Sequence, residues 1–524
     1  MKKLSLNYVK DVIKDDFLKW KTGDSVIIES ATGTGKTTFI FEELLPTLKK
    51  DEKLLFVCNR KKLNRDTKLK ILKLKGMKIP DDMNEVDKMT YFDGVKIISY
   101  QALGEHLYKN EFDLEQYKII VLDECHFFLT DAGFNNQSHL TYYAIVRSKF
   151  PNAIRIFMSA TMDEMKTVIE NSKAYYNKLH SYTSGKDYSY LDTYYFKRMN
   201  DILQMIKNDK SDEKWLIFVT SKTKGEKYLK ELQDAGISVA FAHAKTKEDY
   251  IVEEKFVQKV LILTKAYDNG ININDDLVKH IIVNSFDKNT FLQEVGRVRI
   301  DLEAARMVNL YIPTLSYSTF NTLINTRYKT LFEQFKFYSD APDKFTFTYR
   351  NKHHLVNPTL FKLDENNQWQ PNVLGIKRLR NDRKFANDML FAFKDFEDNV
   401  DSFAYIKKQL EWLELEHTFD ESRLIEKVVD NKEVNKLFDY LSSISSEGDK
   451  EIKLFADEQN RLSNFILNEL IIDSKIDYRT KKLKPKTLET FIREELNLPF
   501  AISQTKKESK GLHRGKRYIT IHHL

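Results

Sequence analysis

The chain has 524 residues, 42% of them apolar and 31% charged, with only 16 glycines and 9 prolines, which excludes low-complexity and collagen-like chains. The first residues, MKKLSLNYVKDVIKDD, hold no apolar run long enough for a signal peptide, no stretch of about 18 apolar residues suggests a membrane span, and Cys58 and Cys125 stand far apart without a CxxC partner. A soluble, cytoplasmic protein of about three to four domains is expected. The net charge of +7 is unevenly spread: residues 475–524 carry 13 Lys/Arg against 5 Asp/Glu, a surplus of 8, which leaves the preceding residues near neutral. Such a basic end is either a solvated tail or a nucleic-acid contact.

In chain order, the first informative stretch is VIIESATGTGKTTFI, from Val26 to Ile40. Val26-Ile27-Ile28 predicts a buried parallel strand, and the apolar spacing from Thr37 onward predicts a helix. A Gly-rich turn between them aims backbone N–H groups and a helix start at one spot, which receives phosphate. Thr32, Gly33, Thr34, Gly35, Lys36, Thr37 and Thr38 are the expected cradle, with Lys36 at the β- and γ-phosphates and the Thr37 hydroxyl on Mg²⁺. A phosphate turn alone leaves kinase, GTPase, transporter ATPase and helicase open.

The second stretch is YKIIVLDECHFF, residues 117–128. Four apolar residues predict a buried strand, and its C-terminal end carries Asp123 and Glu124, facing the crevice where α/β sheets bind ligands. Asp123 suits Mg²⁺, through water, and Glu124 suits polarising the attacking water, two jobs that hydrolysis assigns to different groups. FMSAT (157–161) predicts another strand end. LLFVCNRKKL (54–63) and KIISYQAL (96–103) each predict a strand with a polar exit.

Together these stretches resemble superfamily 2 helicases. S-A-T-G-T-G-K-T is similar to their A-x-T-G-x-G-K-T loop, with Ser30 for the usual Ala. Asp123-Glu124-Cys125-His126 resembles the DExH box, and Ser159-Ala160-Thr161 resembles the motif that, with His126, couples the ATP site to the strand-binding face. The resemblance implies first-domain nucleic-acid loops at Asn59, Arg60, Ser99, Tyr100 and Gln101. WLIFVTSK (215–222) is similar to the fourth motif, implying contacts from Thr220 and Ser221. VLILTKAYDNGINI (260–273) keeps the family spacing from Thr264 to Gly270, with Asn272 where Asp is usual. HIIVNSFDKNTFLQEVGRVR (280–299) is similar to the sixth motif, implying roles for Gln293, Arg297 and Arg299 at the γ-phosphate. That motif is one residue shorter than the usual Gln-x-x-Gly-Arg-x-Gly-Arg, so the arginine finger falls to Arg297 or Arg299. No Gln precedes the phosphate loop to read adenine; Phe17 or Trp20 would have to stack on the base, unless they are core.

The motifs span residues 30–299. The expected fold class is α/β: two tandem RecA-like, doubly wound parallel-sheet domains over 1–180 and 186–315, joined by the polar connector 179–192. Residues 316–475 read as a helical C-terminal extension, with core stripes at Ile406, Leu410, Leu413 and at Val434, Leu437, Phe438, Leu441. Residues 476–524 read as a basic module: an apolar helical face of Leu488, Phe491, Ile492 and Leu496, then FAISQT and RYITIH as strands around KKESKGLHRGKR. At pattern level only, this matches the end of a winged-helix module.

The resemblance implies an ATP- and Mg²⁺-dependent helicase or translocase acting on nucleic acid, single-stranded or forked DNA favoured over RNA, with partner proteins docking on the extension. The compact core with a private C-terminal extension is similar to replication helicases of phages and mobile elements. The alternatives are a nucleotide-switched clamp or sensor, or an RNA helicase; an inactive scaffold is disfavoured because Lys36, Thr37, Asp123, Glu124 and Arg297 are all present.

Overall fold

A computed structural model gives the architecture and describes all residues except 1–2, 59–60, 131–137, 245, 247–249, 266–270, 365, 395–400, 426–430, 446–451, 466–482, 491, 494–497, 512 and 524. Two compact units divide the chain, residues 1–195 with 211–423 and residues 196–210 with 424–524.

The larger unit is built on two mainly parallel sheets. The first contains β1 (Ser25–Glu29), β2 (Leu54–Cys58), β3 (Tyr91–Phe92), β4 (Val95–Ser99), β5 (Ile119–Asp123), β6 (Ile154–Ser159) and β7 (Leu179–Thr183), in the order β3-β4-β2-β5-β6-β1-β7. All of its pairings are parallel except β3 with β4. Strands buried on both faces need continuous apolar runs, and the sequence supplies them. Ile27, Leu55, Val57, Ile120, Leu122 and Phe157 point into one core, while Val26, Ile28, Leu54, Phe56, Val121 and Ile156 point into the other. Phe17 and Trp20 belong to the second of these cores. Trp20 is buried and donates its indole N–H to the Tyr182 hydroxyl at 3.1 Å, so its ring is not presented to a base, while Phe17 is half-buried and packs edge-on against Trp20 and Phe39.

The second sheet is formed by β8 (Leu191–Phe196), β9 (Lys214–Val219), β10 (Val239–Ala242), β11 (Val260–Thr264), β12 (Val278–Ile282) and β13 (Val308–Pro313), running β10-β11-β9-β12-β13-β8. From β10 to β13 every pairing is parallel. Both sheets show the crossover order of doubly wound domains, and both place their motif residues at strand C-terminal ends. We call them the first and second lobes.

The segment expected to be helical over 316–475 divides between the two units. Its first part, to residue 423, packs within the larger unit and includes the helices Lys329–Asp340, Val373–Ala392 and Ala404–Trp412. It also holds a short antiparallel hairpin, β14 (Phe361–Leu363) with β15 (Trp369–Pro371), which the helical spacing did not suggest. Ile406, Leu410 and Leu413 are buried as their spacing requires.

The smaller unit contains the helix Met199–Asn208, the short strand β16 (Leu424–Ile425), the helix Asn431–Ile444, β17 (Lys453–Leu454), the helices Ala456–Phe465 and Pro485–Thr490, then β18 (Phe500–Ile502), β19 (Lys506–Lys507) and β20 (Arg517–His523). β17 and β18 flank β20, both antiparallel to it, and β19 extends the β18–β20 hairpin. Among the described residues the order from Asn431 on is helix, strand, two helices and a hairpin. Leu437, Leu441, Leu454, Leu462, Leu488, Ile492, Phe500, Ile519 and Ile521 form the core of this unit. Phe491 and Leu496 of the expected apolar face lie outside the described residues, as does the Val434 side chain. No helix of the described residues is long and apolar enough to cross a membrane.

Candidate active site

The phosphate-loop residues lie where β1 gives way to a helix at Lys36. Gly33 and Gly35 have φ of +89° and +83°, a conformation that side chains with a Cβ adopt at a cost, so both positions call for glycine. The loop is braced from inside: the Ser30 and Thr34 hydroxyls bond to each other, and Thr34 also donates to the Ala31 carbonyl at 2.8 Å. Lys36 is buried and folds back over its own loop, donating to the Ser30 carbonyl at 2.7 Å and the Ala31 carbonyl at 3.1 Å. Burial lowers its pKa, and Glu124 and Asp123 oppose that shift. Thr37 is half-buried beside it. Thr38 accepts from Lys70 at 2.7 Å, and Lys70 also pairs with Glu42 at 3.2 Å.

Asp123 ends β5, and Glu124 follows with φ of +50°, a strained value for a residue with a side chain, held by the contacts around it. Glu124 Oε2 accepts from the Ser159 hydroxyl at 3.2 Å and lies 3.3 Å from His126 Nδ1. His126 Nδ1 and Ser159 Oγ are 2.9 Å apart, and Ser159 Oγ accepts from the Thr161 N–H at 3.0 Å. The DECH and SAT residues therefore form one buried polar cluster at adjacent strand ends, with Ala160 between its two hydroxyl-bearing neighbours. The two carboxylates are driven apart in acidity. Burial and the charge of Glu124 raise Asp123, against Lys36. Burial would also raise Glu124, but Lys36, the His126 hydrogen bond and Arg297 outweigh it and lower its pKa. Glu124 is thereby the more acidic of the two.

The second lobe reaches this cluster directly. The helix Lys288–Val295 carries Gln293, whose amide donates to Glu124 Oε2 at 3.3 Å. Thr32 of the phosphate loop donates to the Gly296 carbonyl at 3.0 Å. The chain at 271–273 and at 297–299 is paired, Ile273 N–H to the Arg297 carbonyl at 2.9 Å and Arg299 N–H to the Ile273 carbonyl at 2.8 Å, which brings the fifth and sixth motif stretches together.

The two arginines differ. Arg297 spends its guanidinium within its own lobe: Nε on the Gln293 carbonyl at 2.8 Å, Nη2 on Gln293 Oε1 at 2.7 Å and Nη1 on the Ile271 carbonyl at 3.1 Å. Arg299 crosses to the phosphate loop. Its Nη1 is buried without a hydrogen-bond partner among the described residues, and a Cβ built on Gly33 would lie 3.1 Å from it. Burial lowers its pKa, against the charges of Glu254 and Glu124. An unpartnered buried N–H beside a glycine cradle fits a phosphate oxygen. The oxygen donors Thr37 and Asp123 are of the type that Mg²⁺ takes.

The residues expected to touch nucleic acid are more scattered. Thr220 and Ser221 are exposed at the exit of β9, and Thr264 is half-buried at the end of β11. Ser99 caps the helix Tyr100–Tyr108 by accepting from the Ala102 N–H at 3.1 Å, and Gln101 is half-buried. Tyr100 departs from expectation: its ring is buried against Phe127 and Phe128 and its hydroxyl donates to the Asp123 carbonyl at 3.0 Å, so the side chain supports the catalytic turn and does not face a strand. Asn59 and Arg60 lie outside the described residues, as does Gly270, which was expected at the nucleotide. Missed in the sequence were Lys70 and Tyr8, a 38% exposed ring 3.8 Å from a Cβ built on Gly35. Tyr8 stands in no motif and gives no signal short of the fold.

Residues 3–164 match the family model of the type III restriction enzyme res subunit, and residues 197–301 match the helicase conserved C-terminal domain. The chain is a superfamily 2 helicase. It is an ATPase, with the ATP use and nucleic-acid binding that these domains bring. No curated protein matches the helicase. Among solved structures it is similar to Dbp5 of S. cerevisiae bound to RNA and ADP BeF3 (18% identity, 57% of this chain and 81% of that one, TM-score 0.43). It is also similar to Mss116p bound to ssRNA and AMP-PNP (17%, 61% and 72%, TM-score 0.46) and to a DEAD box protein of Methanococcus jannaschii (16%, 58% and 85%, TM-score 0.33). Likeness of this degree says nothing about which nucleic acid the helicase takes.

Proposed function

We propose that this helicase is of the DExH type and that it moves on DNA, taking single-stranded or forked substrates, with domains at 1–180 and 186–315 closing around ATP. The observation that carries the hydrolytic assignment is the pair of contacts across the lobes: Gln293 on Glu124, and the unpartnered Arg299 Nη1 beside Gly33. Lys36 exchanges its bonds to the Ser30 and Ala31 carbonyls for the β- and γ-phosphates. Glu124, oriented by His126, Ser159 and Gln293, takes the proton of the attacking water. Arg299 meets charge developing on the γ-phosphate, while Arg297 holds Gln293 in place. Mg²⁺, held by Thr37 and Asp123, would neutralise charge on the phosphate oxygens. Loss of the γ-phosphate removes the charge that Arg299 faces, so the lobes part, and the His126–Ser159–Thr161 cluster transmits that change toward the strand-binding loops.

DNA is favoured on the reading of the smaller unit as winged-helix-like, which its closing hairpin supports, with exposed Lys507, Lys510, Arg514, Lys516 and Arg517 along that hairpin. Its one carboxylate there, Glu508, is neutralised by Lys453 at 2.6 Å. A cationic wing suits phosphates of a duplex arm and gives salt-sensitive, sequence-independent affinity. A replication role, as in phages and mobile elements, fits a helicase with this compact core and private extension. ATP hydrolysis measured side by side with single-stranded DNA and with RNA tests the proposal: stimulation by DNA at least severalfold above RNA is expected, and stimulation by RNA alone would replace it with an RNA helicase.

A further inference from the structure

The C-terminal extension carries no helicase motif, yet its helix Val373–Ala392 touches both lobes next to the chemistry. Near its start Leu374 is buried in the first-lobe core with Phe127, Phe128 and Leu129, the residues that follow the DECH box. Gly375 permits this seat, since a Cβ there would lie 1.7 Å from the Thr359 carbonyl oxygen. About two turns later Asn381 donates to Glu164 Oε1 at 3.0 Å, on the first-lobe helix just after Ser159-Ala160-Thr161. The other oxygen of Glu164 is buried without a hydrogen-bond partner among the described residues.

On the same helix Arg378 reaches the second lobe. Its Nε lies 2.7 Å from Asp382 and its Nη2 lies 3.5 Å from Asp287. Asp287 caps the helix Lys288–Val295, accepting from the Thr290 N–H at 3.0 Å and from the Thr290 hydroxyl at 2.8 Å. That helix delivers Gln293 to Glu124 and ends where Arg297 begins. Its first residue, Lys288, pairs with Asp163 of the first lobe. Tyr405, further along the extension, donates to the Ser285 and Phe286 carbonyls at 3.3 and 3.2 Å, fixing the strand exit before the cap.

We infer that Arg378 is a positioning residue for ATP hydrolysis: from the extension it holds the cap of the Gln293 helix, and with Asn381 it ties that helix to the first lobe, setting the closed geometry in which Gln293 meets Glu124. Packing alone would be served better by apolar side chains, because a half-buried ion pair must offset its own desolvation. What the charges add is direction. Arg378 has two carboxylates to hold and one helix to aim, and Leu374, Phe385 and Trp412 already supply apolar contact. The inference rests on the hydrolytic reading of Glu124, Gln293 and Arg297, and the test separates the two.

The experiment compares full-length wild type with Arg378→Ala, Arg378→Lys, Asn381→Ala, Arg297→Ala and the double variant Arg297→Ala/Arg378→Ala, measuring kcat and KM for ATP with saturating single-stranded DNA. Misplacement of a reacting group by about 1 Å costs on the order of 100-fold, so Arg378→Ala should lower kcat by about 10- to 100-fold and change KM by less than about threefold. Arg378→Lys should recover part of the loss, since it keeps the charge at Asp287 without the second contact to Asp382. Because both arginines act through Gln293, the double variant should turn over no more slowly than Arg297→Ala within about threefold. Losses that multiply, or wild-type kcat in Arg378→Ala, would overturn the inference. Should Arg378→Ala fail to fold, wild-type kcat in both Arg378→Lys and Asn381→Ala would overturn it, and a kcat loss in both at unchanged KM would support it. Wild-type turnover in Arg297→Ala would instead count against the hydrolytic reading itself.

Discussion

Arg299→Ala should separate catalysis from stability in opposite directions. Arg299 Nη1 is buried and unpartnered beside Gly33, so in the absence of nucleotide it carries a desolvation cost that no hydrogen bond returns and that the charges of Glu254 and Glu124 only partly offset. Removing an unsatisfied donor of this kind relieves about 1–3 kcal/mol, against which the loss of the side chain's own packing must be set. The nucleotide-free protein should therefore melt no lower than wild type. With ATP the balance reverses, because an arginine finger is worth about 10³-fold or more in kcat, roughly 4 kcal/mol of transition-state stabilisation at about 1.36 kcal/mol per tenfold. The assay is steady-state hydrolysis with thermal unfolding measured with and without a slowly hydrolysed ATP analogue. Arg299→Ala should lose turnover by about that factor and lose much of the ligand-induced rise in Tm. Arg297→Ala should behave differently, since its three hydrogen bonds stay within the second lobe: it should lower the Tm of the free protein as well as kcat. A large fall in the Tm of free Arg299→Ala, or equal mild kinetic losses at both positions, would refute the assignment.

Glu124→Gln should retain ATP binding and lower turnover by about 10²- to 10⁴-fold, as loss of a general base does, and near wild-type turnover would reassign the water-activating group. Lys36→Ala should abolish hydrolysis and weaken ATP binding; it should also lower Tm, because the Ser30 and Ala31 carbonyls lose their donor, and an unchanged ATP affinity would contradict the phosphate role. In the smaller unit, deleting residues 475–524 would remove β20 from the core it shares with β17, so the hairpin is better tested by substitution. Replacing Lys507, Lys510, Arg514 and Lys516 by Ala should flatten the slope of log K against log salt for duplex DNA by about 2 to 4, at about 0.9 per phosphate contact, while hydrolysis without nucleic acid stays unchanged. An unchanged slope would make the hairpin a solvated surface.

The strand ends and turns that carry the motifs were largely legible in the sequence because they are local. The Gly33–Thr38 turn and the Asp123-Glu124 strand end each bring strand, turn and functional group within a dozen residues, and buried parallel strands announce themselves as apolar runs. What joins the motifs was not legible. The choice between Arg297 and Arg299 depends on which guanidinium is already committed to Gln293 and Ile271, a fact of three dimensions. Tyr100, beside a polar strand exit, read as a nucleic-acid contact, but its ring fills the space beside Phe127 and its hydroxyl meets the Asp123 carbonyl. The extension was opaque for the same reason: Arg378, Asn381 and Asp382 look like the solvated face of an amphipathic helix until Glu164 and Asp287, far away in sequence, are placed against them. In the smaller unit the hairpin alternation at 500–523 was visible, whereas the pairing of β17 with β20 closes over a long separation.

The most direct test of the central claim is strand displacement on a forked duplex in the presence of ATP, run in parallel on DNA and RNA forks of one sequence with Glu124→Gln as the control. A motor driven by the Glu124 site and directed to DNA separates the DNA fork only with ATP, does so faster than the RNA fork, and stops in Glu124→Gln although that variant still binds the fork. ATP hydrolysis stimulated by DNA without any displaced strand would contradict the claim and make the protein a nucleotide-switched clamp.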